Sequence, residues 1–402
     1  MVQSRHSRLV FSAGAWGRSM LARIVLIGPA YPLRRGGIAT YTESLAAAYI
    51  RAGREALIYT FRYQYPPWLF PGRTQWSEEP PPEGLPIVAR LHSLLPWNWY
   101  RTALELAAHA PDALLINVWL PFFAPCLGSV ARIVRRRSPQ TLLLGIVHNV
   151  SPHERFPLAR LLTRFLLDGL EGFLVLSHAV AHELEPFRRR KPYRVHPHPP
   201  FDYGPAPERA LARKRLGIPE SEPVLLFFGL VRPYKGIDLL AEALALLPNP
   251  PLTLIVGEWY MPTDAFEQRL RQLGLSERVW VVNRFIPQQE IPLYFAAADL
   301  VVQPYRSATQ SGITPLALRY ERPVVVTNVG GLPEYVRPGQ TGYIVEPRAE
   351  VLAEAIADFF GNGRAREFAP FLHAAAREWS WEAIVGTLDL LAEDVLQARS
   401  RQ

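Results

Sequence analysis

Short runs of leucine and β-branched residues, almost free of polar positions, recur along the chain and alternate with stretches of helical periodicity. The runs at 24–28, 56–60, 113–118, 141–147 and 173–176 form one series. A second series occupies 224–228, 252–256, 279–282, 300–302, 324–327 and 343–345. A strand with one face in water alternates apolar and polar residues, whereas a run that is apolar throughout has both faces covered. Helical patterns fill the gaps, for example at 239–247 and 351–360. Repeated strand–helix–strand order predicts parallel sheets clad in helices, an α/β doubly wound architecture.

The series breaks at 195–205, where His196-Pro197-His198-Pro199-Pro200 is too rich in proline for a helix and suits a linker. With 402 residues the chain exceeds one ordinary core. We therefore expect two Rossmann-like lobes, 20–200 and 201–378, facing one another across a cleft. Ligands of open parallel sheets bind beyond the carboxyl ends of the strands, so the cleft is the expected site. A last helix over 381–399, within a segment 379–402, is expected to pack back across the junction. Residues 1–19, ahead of Met20, read as a tail or an upstream start.

Composition narrows the class. The single cysteine, Cys126, leaves no partner for an intramolecular disulfide and fits a reducing, cytoplasmic setting. The longest uncharged stretch, 113–131, is interrupted by Asn117, Pro121 and Pro125, which favours a strand and loop over a membrane span. A net charge of +8 points to anionic partners. Two basic runs, Arg135-Arg136-Arg137 and Arg188-Arg189-Arg190-Lys191, lack the interleaved aromatics of a nucleic-acid platform, so nucleic acid is not expected. They read as solvated surface or as contact with anionic lipid at the inner membrane face. Leu158, Leu161, Leu162, Phe165, Leu166 and Leu170 fall at helical spacing, which suits a core face or an interfacial helix.

Two segments carry candidate chemistry. Gly28-Pro29-Ala30 leads through a loop to Gly36-Gly37 just before a helical stretch, where bare backbone and free amides suit a phosphate, although a Gly-Gly pair is also an ordinary turn. It lacks the Gly-x-Gly-x-x-Gly fingerprint of nicotinamide and flavin sites. In the second half, the run 224–228 ends in Gly229-Leu230-Val231-Arg232-Pro233-Tyr234-Lys235-Gly236. Two cations three apart at a strand's carboxyl end make a diphosphate clamp, Arg232 offering a fork and Lys235 a compact charge. His196 and His198 have no cysteine or carboxylate at ligand spacing, so no metal site is expected.

The segment 228–236 resembles the donor-phosphate segment of retaining glycosyltransferases of family 4, which have the GT-B fold. His148-Asn149-Val150-Ser151-Pro152-His153-Glu154 resembles the histidine segment of one branch. Gln310-Ser311-Gly312, then Arg322-Pro323-Val324-Val325-Val326 and Gly330-Gly331-Leu332-Pro333-Glu334, resemble its donor-binding stretch. The resemblance keeps order and spacing from about Met20 onward. It implies a nucleotide diphosphate sugar as donor, an acceptor glycan or lipid-linked sugar held by the first lobe, retention at the anomeric carbon, and neither metal nor cofactor. It implies His148 near the transferred sugar, Arg232 and Lys235 on the diphosphate, and Gly36, Gly37 and Gly229 close to it. The stretch Gln310, Ser311, Gly312 and Ile313 would lie on the donor, and Arg284, Phe285 and Ile286 around the nucleobase. It implies a role in envelope or exopolysaccharide synthesis.

The family's pair of glutamates eight positions apart falls here on Ala308 and Leu316, neither of which accepts a hydrogen bond through its side chain. A same-fold epimerase or phosphorylase, or a non-catalytic partner protein, are the competing readings. Glu154 is either an acceptor-side carboxylate or a helix-terminal charge, and Gly257-Glu258-Trp259 is either the family's Gly-Glu segment or a surface turn.

Overall fold

The computed structural model describes residues 20–33, 36–66, 74–150 and 158–401. The first lobe holds seven strands: β1 (Arg23–Ile27), β2 (Glu55–Tyr63), β3 (Ile87–His92), β4 (Ala113–Val118), β5 (Leu142–Val147), β6 (Gly172–Val175) and β7 (Tyr193–Val195). They form one parallel sheet in the order β3-β2-β1-β4-β5-β6-β7. The second lobe holds β8 (Val224–Phe228), β9 (Leu252–Val256), β10 (Val279–Val282), β11 (Leu300–Gln303), β12 (Val324–Thr327) and β13 (Gly342–Val345). They pair in parallel as β10-β9-β8-β11-β12-β13. Each lobe is thus doubly wound as expected. The strand order reverses beside β1 in one lobe and beside β8 in the other, and both reversal points open onto the cleft.

The two strands that the apolar runs did not reveal, β3 and β7, are the two edges of the first sheet. An edge strand is covered on fewer sides. β7 is half-buried throughout and β3 carries exposed Arg90, so neither shows a continuous apolar run.

The helix Trp381–Ser400 leaves the second lobe and packs on the first. Its Ile384, Leu388, Leu391 and Val395 join Leu26, Leu115, Leu144 and Leu174 in the core over one sheet face. Arginine–carboxylate pairs fasten it, among them Arg54 to Asp389 (2.8 and 2.6 Å), Arg194 to Asp394 (2.7 and 3.0 Å) and Arg399 to Glu171 (2.8 and 2.7 Å). Gly172 permits the contact, since a Cβ there would lie 2.6 Å from Val395 Cγ2.

The arginine runs are largely consumed locally. They close the helices Ala124–Arg137 and His178–Arg188, where cations complement the helix dipole. Arg135 pairs with Glu171, Arg188 with Glu185 and Arg189 with Asp168. The helix Ala159–Asp168 buries Leu166 and Leu167, but leaves Leu161 62% exposed with Leu158 at 70% just ahead of it. The helical spacing there serves two surfaces rather than one core. No helix among the described residues is long and apolar enough to cross a membrane.

Candidate active site

The two lobes enclose a cleft of about 740 Å³. From the first lobe, Gly36 and Gly37 open the helix Gly37–Arg51, whose start has no side-chain cap. A Cβ at either glycine would meet nothing within 4 Å, so no packing demands glycine there; both line the cleft, and among the described residues no hydrogen-bond partner is found for their amides. On the other wall, β8 ends at Gly229, whose φ of +114° carries the chain to Arg232 and Lys235. Gly257, after β9, has φ +147°, and a Cβ there would stand 2.0 Å from the Gly229 carbonyl oxygen, so the two strand ends close together only with glycine.

The Arg232 guanidinium lies over the Tyr260 ring at 5.0 Å and the Lys235 ammonium over the Tyr305 ring at 5.0 Å. Desolvation works against the Lys235 charge, but the phenol oxygens of Tyr305 and Tyr234 more than offset it, and its pKa sits above the ordinary lysine value. No carboxylate forms an ion pair with Lys235 among the described residues, and Lys235 lines the cleft.

His148 follows β5 and is buried. Its Nε2 lies 2.7 Å from Asn117 Oδ1. The Asn117 amide nitrogen donates to the Ile27 carbonyl (3.1 Å) and to Thr42 Oγ1 (3.2 Å), which leaves Oδ1 as acceptor and places the imidazole proton on Nε2. Nδ1 is then a bare acceptor, 3.4 Å from Gln310 Nε2 of the other lobe. Burial, helped by nearby His198, pulls the His148 pKa down to about 3. A neutral imidazole this weakly basic is a poor general base near neutral pH.

Gln310, Ser311, Gly312 and Ile313 line the same cleft. Gln303 orients Ser311 by donating to its Oγ (2.8 Å) while accepting from Thr314 (2.6 Å). Ser311 Oγ also accepts from the Ile313 amide (3.2 Å), so that amide is engaged by its own chain and not open to a phosphate. Phe285 and Ile286 form part of the wall, but Arg284 does not: it is exposed and turned to Glu290 and to Tyr294 Oη (3.3 Å). An acidic neighbour six positions on captures the guanidinium, a contact the motif does not disclose. Leu316 and Ala308 both face the cleft, so the positions of the missing glutamates are apolar wall. His153 and Glu154 lie outside the described residues.

Residues with no motif complete the site. Gln64, Tyr65, Gln75 and Trp119 form the first-lobe wall, with Gln75 bonded to both backbone groups of Tyr65 (3.1 and 3.0 Å). Gly257 and Glu258 line the second-lobe wall and are not a surface turn. His198 is buried in the linker and edge-on to Tyr41 (5.1 Å), which is edge-on to His148 (4.9 Å). Among the described residues no group of three or more His, Cys, Asp or Glu could hold a metal ion.

Known proteins match in the same parts. The family model for glycosyl transferases group 1 covers residues 208–373, and that for the glycosyl transferase 4-like domain covers 36–219. The chain is 25% identical to a GDP-mannose-dependent alpha-(1-6)-phosphatidylinositol monomannoside mannosyltransferase of Mycolicibacterium smegmatis, over 89% of this chain and 93% of that protein. It is 32% identical to a D-inositol 3-phosphate glycosyltransferase of Xylanimonas cellulosilytica, over 47% of this chain and 46% of that protein. Among solved structures, sucrose-phosphate synthase of Thermosynechococcus elongatus superposes with a TM-score of 0.71 at 21% identity, covering 94% and 99% of the two chains. Anabaena HepE in complex with UDP gives 0.67 at 20%, covering 94% and 100%. Together the family models span both lobes and their junction, and the chain belongs to the group 1 glycosyltransferases, built in the two-lobed GT-B architecture.

Proposed function

We propose that the chain moves a glycosyl group from a nucleoside diphosphate sugar to a hydroxyl of a glycan or lipid-linked acceptor, with net retention at the anomeric carbon. The observation that carries this reading is the pair Arg232 and Lys235 on one wall of a cleft whose other wall presents the open amides at Gly36 and Gly37. The bond from the anomeric carbon to the diphosphate breaks, and the pair meets the negative charge growing on the leaving group. The acceptor oxygen bonds to the same carbon and passes its proton to a departing phosphate oxygen. His148, neutral throughout, orients the sugar. Phe285 and Ile286 lie along the nucleobase, and Gly229, Gln310, Ser311 and Gly312 lie along the donor. No cofactor enters this scheme. A relative named for transfer to a phosphatidylinositol monomannoside supports a lipid-linked acceptor and, with it, a role in envelope glycan synthesis.

The test is transfer from a panel of nucleotide sugars to glycan and lipid-linked acceptors, with the product anomer read by NMR. A retained anomer that Arg232→Ala abolishes supports the reading. An epimerised donor or a free sugar phosphate overturns it.

The acceptor side of the first lobe is also proposed to rest on an anionic membrane at its cytoplasmic face. The helices Pro96–His109, Ala124–Arg137 and Ala159–Asp168 pack side by side. Their amino ends leave Leu95, Trp97, Leu158 and Leu161 more than half exposed, beside exposed Arg101, Arg160 and Arg164. Apolar side chains ringed by arginine suit the headgroup boundary. Sedimentation with phosphatidylglycerol vesicles but not phosphatidylcholine vesicles supports this; equal retention in the supernatant contradicts it.

A further inference from the structure

The loop that carries Gln310 to His148 is held from two sides, and one of them belongs to the other lobe. Ser177 starts the helix His178–Arg188 of the first lobe; its Oγ accepts from the Val180 amide (3.1 Å) and donates to the Thr309 carbonyl of the second lobe (2.9 Å). Gly331 donates its amide to that same carbonyl (3.2 Å). The Thr309 hydroxyl donates to Asn149, directly after His148. The crowding explains the glycine pair after β12: a Cβ on Gly330 would sit 1.5 Å from the Ala308 oxygen, and one on Gly331 2.7 Å from Ser177 Cβ.

Three residues on, the Glu334 carboxylate reaches across. Its Oε1 accepts from the His178 amide (2.9 Å) and the Ala179 amide (3.3 Å), and its Oε2 again from His178 (3.0 Å). These amides open a helix and have no partner within it, and a carboxylate there also meets the positive end of the dipole. Glu334 has no ion-pair partner among the described residues. Its neighbour Tyr335 accepts from the linker amide of His198 (2.7 Å), so one short turn is tied to the first lobe and to the linker at once. Of these bonds, those from Ser177 to Thr309, from Thr309 to Asn149 and from His178 and Ala179 to Glu334 run between the lobes.

We infer that Glu334 is a positioning residue: by docking on the first-lobe helix that Ser177 begins, it holds the lobes together with Gln310 against His148, the arrangement in which the sugar is transferred. The inference rests on the transfer reading for its link to turnover, but not for its link to lobe closure. Glu334→Ala breaks the dock, and Glu334→Gln keeps an acceptor oxygen while losing the charge. We expect kcat to fall roughly tenfold in Glu334→Ala and less in Glu334→Gln, the scale of a charge at a helix start. Donor affinity by calorimetry and the melting temperature stay near the wild-type values, because the diphosphate clamp and both cores are intact. Small-angle scattering without substrate should give a larger radius of gyration for Glu334→Ala. Wild-type kcat in Glu334→Ala overturns the inference, as does an unchanged radius of gyration, or a kcat loss matched by loss of donor affinity and melting temperature. If the wild type binds no nucleotide sugar, the transfer reading fails, and the scattering result still decides the dock.

Discussion

The two lobes share a sheet order, yet they solve different problems. The second has one continuous core, from Ala212 to Leu372. The first has separate cores on its two sheet faces, and one is completed by a helix from the far end of the chain. The second lobe's cleft wall is written in short segments: a strand, a glycine with positive φ, then cations or a polar turn. The first lobe's wall comes from scattered residues such as Gln64 and Trp119. A diphosphate is a fixed shape with fixed charge, and cations held just past a strand end suit it. An acceptor wall has no such common form.

The largest effect that separates the lobes is expected at their borrowed helix. The Arg54 side chain is buried and its two nitrogens meet Asp389 at 2.8 and 2.6 Å. Removing one partner strands a buried charge, so Asp389→Ala should cost roughly 3 kcal/mol, read by urea unfolding. The loss should fall on the first lobe alone; equal loss of both, or none, would erase the contrast.

Next is a pH dependence centred on the seam. The folded His148 pKa, near 3, lies below its ordinary value, so the unfolded chain binds the extra proton first. Stability is flat above about pH 6.5 and declines as the pH falls toward 3, by roughly 2 kcal/mol at pH 5 from this residue. His198, pulled down to about 4 by burial, adds to the decline. His148→Gln should flatten the curve between pH 5 and 7; an unaltered slope would show that the imidazole is charged in the fold. The smallest change is on the surface. Leu158→Gln with Leu161→Gln should alter stability by less than about 0.5 kcal/mol, as both are exposed, while vesicle binding falls. Vesicle binding equal to wild type would remove the first lobe's claim to a membrane face.

Legibility tracked unbroken apolar runs. β4, β8, β9, β10 and β12 coincide with their apolar runs; β10 does so although it is a half-exposed edge, because its four residues Val279–Val282 are all apolar. β3 and β7 were hidden because these edge strands carry polar residues, Arg90 and His92 in β3 and Arg194 in β7, that break an apolar run. Arg232 and Lys235 were legible because a doubly wound sheet delivers the residues just past a strand's carboxyl end to the cleft. Arg284 was misplaced because its direction depends on Glu290, a choice among rotamers that a motif does not record. Gln64 and Trp119 were missed since only the fold brings 64 and 119 together. Glu334 was legible as a motif residue, but its partner amides, about 156 positions away, were not.

On the proposed reading, fixed charge and bare amides grip a diphosphate. Titration calorimetry of the protein with nucleoside diphosphates and with the corresponding nucleosides tests it most directly. One diphosphate should bind far more tightly than its nucleoside, and Arg232→Ala with Lys235→Ala should abolish that difference while leaving the melting temperature in place. Equal affinity for nucleoside and diphosphate, or a diphosphate preference that survives both substitutions, would contradict it.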